Sequence, residues 1–346
     1  MAFCKDKLKV AMLLNNAMYQ RTFHPDDLAF LRTFADILNE GPYPDKIDEP
    51  FMQRVLPGAD ACITCWGTPV LTKAVLDQAR DLKVIAHGAG TPKAIINDDF
   101  WGRNIRIFTA APVIAIDVAE TALGAIIYSL KCLRQYERMM RDGAWVKDPG
   151  QIARQKYAMK RLNDRLTVGI IGLSHVGRHL IRFLKPFGVR IQCYDPYVSE
   201  YAAGKMGVAK VSLAELMAGC DVVTVHAPNL LETRQLVSRE MLALLKDGAL
   251  FVNTARGAIV DQDALIAELK SGRINAYLDV FEAEPLPLGS ELYKLENVLL
   301  SPHISGGHTE NGGYERGNYL IQQLYGYYGT GMIQDEVVQP MIRVMA

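Results

Sequence analysis

The chain has 346 residues, somewhat more than two domains' worth at about 150 residues each, and is long enough to bury a sizeable core. Its 38 Lys plus Arg balance 38 Asp plus Glu, so it lacks the basic surplus that binding a phosphate backbone demands, and no nucleic-acid partner is expected. Hydrophobic residues at 49% and charged residues at 22% exclude the disordered and fibrous classes.

Along the chain, the start MAFCKDKLKVAMLLNNAMYQ joins a short apolar run to charge and Asn without a small-residue cleavage pattern, so no signal peptide is expected. From Lys9 to Phe108 short β-rich runs (KVAMLLN, DACIT, LKVIAHG, IRIF) alternate with helical stretches such as DDLAFLRTFADILNE, which predicts a small α/β unit. After TAAPV, the segment IDVAETALGAIIYSLKCLRQYERMMRDG has the spacing of one long helix. Its apolar run, near Thr121 to Leu130, is shorter than the roughly 20 residues that span a bilayer, so no membrane partner is expected. A polar stretch, KDPGQIARQKYAMKRLNDR, leads to TVGIIG, a helix at HVGRHLIRFLKPFG, and RIQCYDPY. Strands and helices then alternate through about residue 303, which predicts a doubly wound parallel sheet of the Rossmann type. The tail ENGGYERGNYLIQQLYGYYGTGMIQDEVVQP has helical spacing and is expected to return to the first unit.

Gly172, Ser174, His175, Val176 and Gly177 follow a predicted strand and open a predicted helix, the context a dinucleotide fingerprint requires. The first glycine allows the tight turn, the helix amides face a pyrophosphate, and the last glycine lets helix and strand pack closely. Ser174 replaces the middle glycine, where a small hydroxyl can still donate to phosphate. Asp195 ends the next strand, 23 residues after Gly172, where a carboxylate bonds ribose hydroxyls and repels the extra phosphate of NADP. The expected cofactor is NAD.

Three later segments, NTARG, LDVFEAEP and SPHISGG, lie at predicted strand ends, where ligands bind in this architecture. Arg256 is suited to clamp a carboxylate. Glu284 can reach His303, stabilise its protonated ring and fix its orientation, which makes a proton donor for a ketone. Taken singly, each of the three is more often a solvated or structural residue. Their conjunction behind a nucleotide fingerprint is what points to chemistry.

Six cysteines, at 4, 62, 65, 132, 193 and 220, are too sparse for a disulfide framework and fit a reducing, cytoplasmic setting. Cys62 and Cys65 sit three apart on a strand and face opposite sides, with no second pair to complete a zinc site, so buried thiols and no metal are expected. His226 and His308 read as structural or cofactor-adjacent.

The run from TVGIIG through VHAPNLLETRQLV, FVNTARGAIVDQDAL, YLDVFEAEPLP and NVLLSPHISGGH resembles the D-isomer-specific 2-hydroxyacid dehydrogenase family over residues 165–310. TPVLT, KVIAHGAGT and VAETALG extend the likeness more weakly to the whole chain. The resemblance implies a Rossmann NAD domain, residues 116–308, inserted in a smaller flavodoxin-like α/β substrate domain, residues 1–115 and 309–346, and a homodimer. It implies that Arg256 is the substrate-binding catalytic arginine, Glu284 its partner acid and His303 the proton-transferring group. It gives Asp279 to the nicotinamide carboxamide beside the Thr254 and Ala255 backbone, and Ala227 and Thr233 to the cofactor lining. His87, Gly88, Ala89 and Gly90 resemble the loop whose amides hold the substrate carboxylate. The implied activity is reversible hydride transfer between NADH and a small 2-oxo acid; the alternative is an NAD(H)-sensing binding protein or corepressor of the same fold without significant turnover. Phosphoglycerate-oxidising members carry arginines where this chain reads Thr64-Cys65-Trp66-Gly67-Thr68, which disfavours a phosphorylated substrate. Trp66 is read either as the wall of an apolar pocket or as core packing.

Overall fold

The computed structural model describes residues 6–143, 159–342 and 345; Cys4, the first residues of the amino-terminal segment and most of the polar stretch before Arg165 lie outside them. The chain divides into two compact units, Met1–Ile114 with Gly307–Met345, and Ala115–Gly306.

The first unit is built on a parallel sheet of β1 (Leu8–Leu13), β2 (Ala35–Ile37), β3 (Ala61–Thr64), β4 (Val84–His87) and β5 (Arg106–Thr109), in the order β2-β1-β3-β4-β5. Leu13 pairs with Thr64, and Thr64 with His87, so three carboxyl ends finish level. The order reverses between β1 and β3, and a crevice forms outside the carboxyl ends of the strands at such a switch point. Both faces are covered, which is why β3 and β4 are buried at every position. Cys62 belongs to the apolar cluster on one face and Cys65 to the cluster on the other.

One helical expectation here is corrected. DDLAFLRTFADILNE forms a helix only over Pro25–Phe34, and Ala35–Ile37 pairs with the edge of β1 instead. Periodicity continued past Phe34, but β1 offered unpaired backbone groups that an edge strand satisfies.

The second unit carries β6 (Thr167–Ile171), β7 (Arg190–Tyr194), β8 (Ala209–Lys210), β9 (Val222–Val225), β10 (Leu250–Asn253), β11 (Asn275–Leu278) and β12 (Val298–Leu300). All pair in parallel in the order β12-β11-β10-β9-β6-β7-β8, with the switch point between β6 and β9. Ile171, Val223, Val225 and Phe251 pack on one face, and Val168, Ile170, Val222 and Val252 on the other. These buried, Val- and Ile-rich strands are the double-sided apolar runs that parallel sheets require.

The long helix expected after TAAPV is two helices, Ala111–Leu130 and Leu133–Arg141. Between them Cys132 adopts φ +50°, and the Leu130 carbonyl accepts a hydrogen bond from the Lys160 amide at 2.7 Å instead of continuing the helical ladder. Ala111–Leu130 is also longer than the apolar run expected. It spans 20 residues, 18 of which in a row average a hydropathy of 1.7, long and apolar enough to cross a membrane, yet it carries Asp117 and Glu120. Ala119, Ala122, Ala125, Ile126 and Leu130 pack into the core of the second unit.

Candidate active site

The glycine-rich turn joins β6 to the helix His175–Leu184. Gly172 has φ +94°, and a Cβ there would meet the Ala227 amide nitrogen at 2.7 Å. At Gly177 a Cβ would meet the Gly172 carbonyl oxygen at 2.3 Å. Both positions therefore exclude any side chain, one for the turn and one for the helix–strand approach. No side chain caps this helix, and an uncapped helix start presents amides to an anion.

The Ser174 hydroxyl donates to the His226 carbonyl at 3.2 Å, which ties the turn to the end of β9. Asp195 sits beyond β7, its Oδ2 accepting from the Leu173 amide at 2.7 Å and its Oδ1 from the Tyr197 amide at 2.8 Å. The carboxylate is thus anchored against the fingerprint turn. Close glycines, an uncapped helix and a fixed acid fit a dinucleotide.

The polar triad gathers at the carboxyl ends of β10, β11 and β12. Past β10, Asn253 pins the turn: its side-chain oxygen accepts from the Ala255 amide at 3.0 Å and its Nδ2 donates to the Arg256 carbonyl at 3.1 Å. Arg256 donates to the Ala255 carbonyl at 2.6 Å. Burial pushes its guanidinium below the ordinary arginine value, and Glu284 opposes that shift; the group stays charged. Gly257 is pressed so closely on the loop after β11 that a Cβ would fall 1.9 Å from the Phe281 carbonyl carbon. This contact joins the Arg256 turn to the loop that bears Glu284, whose Oε1 accepts from the Phe281 amide at 3.0 Å.

Past β12, His303 donates through Nδ1 to Glu284 Oε2 at 2.6 Å. Nδ1 is thereby committed and Nε2 is left for a reacting oxygen. His303 has φ +53°, a left-handed conformation costing a non-glycine residue about 1–2 kcal/mol. Asp279 holds it there. Its backbone carbonyl accepts from the His303 amide at 2.8 Å. Its carboxylate, fully buried, accepts from the Ser301 hydroxyl at 2.5 Å, the Ile304 amide at 3.0 Å and the Ser305 amide at 2.9 Å. Tyr277 donates or accepts at Ser301 Oγ, 2.7 Å away. Sequence reasoning gave Asp279 to the cofactor and missed this bracing, together with Asn253, Ser301 and Tyr277. Asn253 was legible as an Asx-turn former at a strand end.

Other expected cofactor neighbours are structural in their own bonding. The Thr233 hydroxyl donates to the Pro228 carbonyl at 2.6 Å and accepts from the Leu230 amide at 2.8 Å, which shapes its loop. Ala227 packs over Gly172, and Thr254 Oγ1 lies 3.5 Å from His226 Nδ1. Burial pushes the His226 ring down to about 3.

In the first unit, the His87 ring is buried, with Nδ1 2.8 Å from Thr64 Oγ1 and Nε2 3.1 Å from the Thr91 carbonyl oxygen. Burial lowers its pKa to about 4. The Gly88 amide donates to the Thr64 carbonyl at 2.7 Å. That bond ties the expected anion-holding loop, His87–Gly90, to the end of β3. Among the described residues no group of three or more His, Cys, Asp or Glu could hold a metal.

Comparison with known proteins places these features in context. Residues 123–305 match the family model described as D-isomer specific 2-hydroxyacid dehydrogenase, NAD binding domain. A D-3-phosphoglycerate dehydrogenase of Methanocaldococcus jannaschii is 34% identical over 77% of this chain and 49% of its own. A glyoxylate reductase of Korarchaeum cryptofilum is 32% identical over 72% of this chain and 74% of its own. The chain spans about half the length of the phosphoglycerate relatives it matches. The crystal structure of a phosphoglycerate oxidoreductase from Rhizobium etli is alike in fold, with TM-score 0.78 at 22% identity, covering 96% of this chain and 99% of that one.

Proposed function

Since the chain belongs to the D-isomer specific 2-hydroxyacid dehydrogenase family, whose cofactor is NAD(H), we propose that it catalyses reversible reduction of a small 2-oxo acid to the 2-hydroxy acid. The observation that carries this reading is the convergence of Arg256, Glu284 and His303 at three adjacent strand ends, with His303 Nδ1 2.6 Å from Glu284 Oε2. NADH, when bound, supplies the hydride that adds to the C2 carbon and leaves as NAD⁺. Arg256 bonds the substrate and stabilises the negative charge that grows on the carbonyl oxygen as its π bond breaks. His303 gives the proton from Nε2 to that oxygen, completing the alcohol, and Glu284 stabilises the cationic ring beforehand. In the oxidative direction His303 accepts the same proton.

The test is NADH oxidation with a panel of 2-oxo acids, comparing wild type with His303→Ala. Turnover falls by roughly 10²- to 10⁴-fold in the variant while NADH still binds. Undiminished turnover removes His303 from the chemistry, and NADH binding without turnover of any 2-oxo acid by the wild type favours a sensor.

We also propose a homodimer. Helix Leu133–Arg141 has no buried residue and exposes Leu133 and Met140, and Ile116, Val118, Leu123 and Ile127 on the preceding apolar helix are only partly covered, the kind of surface that a second copy buries.

A further inference from the structure

The loop that follows β4 is tied to itself by one buried ring. His87 ends β4 and is 2% exposed. Its Nε2 lies 3.1 Å from the Thr91 carbonyl oxygen and its Nδ1 2.8 Å from Thr64 Oγ1. A carbonyl can only accept, so Nε2 carries the proton of the ring and Nδ1 accepts from the Thr64 hydroxyl. Burial, which lowers the pKa to about 4, keeps the ring neutral. With both nitrogens spent inside the first unit, the ring is not placed to move a proton. What it does is hold Thr91.

Every carbonyl from His87 to Thr91 has a donor. The Ala110 amide reaches those of His87 and Ala89 at 2.9 and 3.1 Å, Thr109 Oγ1 that of Gly90 at 3.4 Å, and Cys65 Sγ that of Gly88 at 3.4 Å. The donors to Ala89 and Gly90 stand at the end of β5. In a planar trans peptide the amide opposes the carbonyl, so the Gly90 and Thr91 amides both face away from β5. Among the described residues neither of these two amides has a hydrogen-bond partner. Successive amides turned to one side make a concavity that binds anions. Gly90 also leaves room: a Cβ there would meet nothing within 4 Å, whereas one on Gly88 would meet Cys65 Sγ and the Thr64 carbonyl oxygen at 3.2 Å.

The far end of this loop is its least supported part. Four of the five carbonyls are held from the ends of β3 and β5, and that of Thr91 is held by a side chain of the loop itself. We propose that His87 is a positioning residue for the substrate: by fixing Thr91 it aims the Gly90 and Thr91 amides as donors to the carboxylate of a 2-oxo acid. This rests on the 2-oxo acid reductase reading above. It extends the loop that the family resemblance gives to the carboxylate by one residue, and it gives the His87 ring, rather than the His87 amide, a part in binding. Two amides bond the two oxygens of a carboxylate only while both peptides keep their orientation. Without the ring nitrogen, the residue that bears the second amide is no longer fixed.

The probe is oxamate, which carries the carboxylate of a 2-oxo acid and is not reduced. Its affinity for the NADH complex, the NADH affinity by fluorescence titration, and kcat and KM for pyruvate and phenylpyruvate are measured in wild type, His87→Phe, His87→Gln and Thr64→Val. His87→Phe keeps a flat ring without nitrogen. Oxamate binding weakens and KM rises, each about tenfold, while kcat and NADH affinity change less than about threefold, the pattern of a contact made equally in ground and transition states. His87→Gln keeps a donor for the Thr91 carbonyl and restores most of the affinity. Thr64→Val retains the ring but removes its partner at Nδ1, weakens oxamate about threefold, and decides the matter where His87→Phe does not fold. Unchanged oxamate affinity in His87→Phe, or in Thr64→Val where that variant alone folds, overturns the assignment, as does a fall in kcat with KM unchanged. Weaker oxamate binding in His87→Phe, with no acid turned over by wild type, sinks the proposed reaction and keeps the role of His87. Turnover with an oxamate affinity indifferent to His87 does the reverse, and neither binding nor turnover by wild type sinks both.

Discussion

Adding one methyl group at Gly257 tests whether the turn bearing Arg256 and the loop bearing Glu284 work as one piece. An alanine Cβ would sit 1.9 Å from the Phe281 carbonyl carbon, 2.1 Å from its oxygen and 2.3 Å from the Glu282 amide nitrogen, where an ordinary contact begins near 3.4 Å. Since all three atoms are backbone, no rotamer change relieves the overlap, and the two loops must separate by about 1.5 Å, the difference between the contact found and the contact allowed. Glu284 Oε1 is tied to the Phe281 amide, so this displacement moves the carboxylate that orients His303. A misplacement of about 1 Å costs around 100-fold in rate, and overpacking of this kind costs about 1–3 kcal/mol of stability. Gly257→Ala is therefore expected to lose about 100-fold or more in kcat/KM, read by NADH absorbance, while NADH affinity, read by fluorescence titration, changes far less because the fingerprint turn lies on β6. A folded Gly257→Ala protein with wild-type turnover refutes the coupling of the two loops.

Gly172→Ala at φ +94°, 2.7 Å from the Ala227 amide nitrogen, is expected to weaken NADH binding by tenfold or more in the same titration; unchanged affinity removes the turn from the cofactor site. His87 and His226 are pushed by burial from 6.5 to about 4 and about 3. Their rings bind protons more weakly in the fold than in the unfolded chain, so stability is full above about pH 6.5 and falls as the pH drops from there toward 4 and 3. At about 1.4 kcal/mol per unit the loss is bounded near 3 kcal/mol for His87, and urea midpoints of wild type and His87→Gln at pH 7 and 4.5 measure it; equal losses in both proteins contradict a neutral buried ring. Light scattering is expected to give twice the chain mass, and Leu133→Glu, at a side chain 46% exposed, to move it toward the monomer; a monomeric wild type ends the dimer proposal.

The alternation of strands and helices from Thr167 onward was readable because parallel strands buried on both faces leave near-continuous apolar runs such as VVTV, and the glycine turn was readable because its conformation admits few residues. The division of DDLAFLRTFADILNE at Ala35 and the break at Cys132 were not, because each is decided by a distant backbone partner, β1 in one case and Lys160 in the other. The site follows the same rule. Arg256, Glu284 and His303 stand out by residue type at strand ends, whereas what fixes them is a second set of polar groups whose sequence signal is faint. Asp279 illustrates the limit: the family resemblance gives it to the cofactor, and nothing in the sequence announces the three hydrogen bonds it accepts from the loop that bears His303. A left-handed residue after Pro302 persists only when its surroundings over-determine it, and a buried carboxylate accepting two amides and a hydroxyl supplies that constraint. The aim of the His303 ring is therefore set from behind by Asp279 as well as from the side by Glu284, and both loops converge on the turn that Gly257 keeps thin.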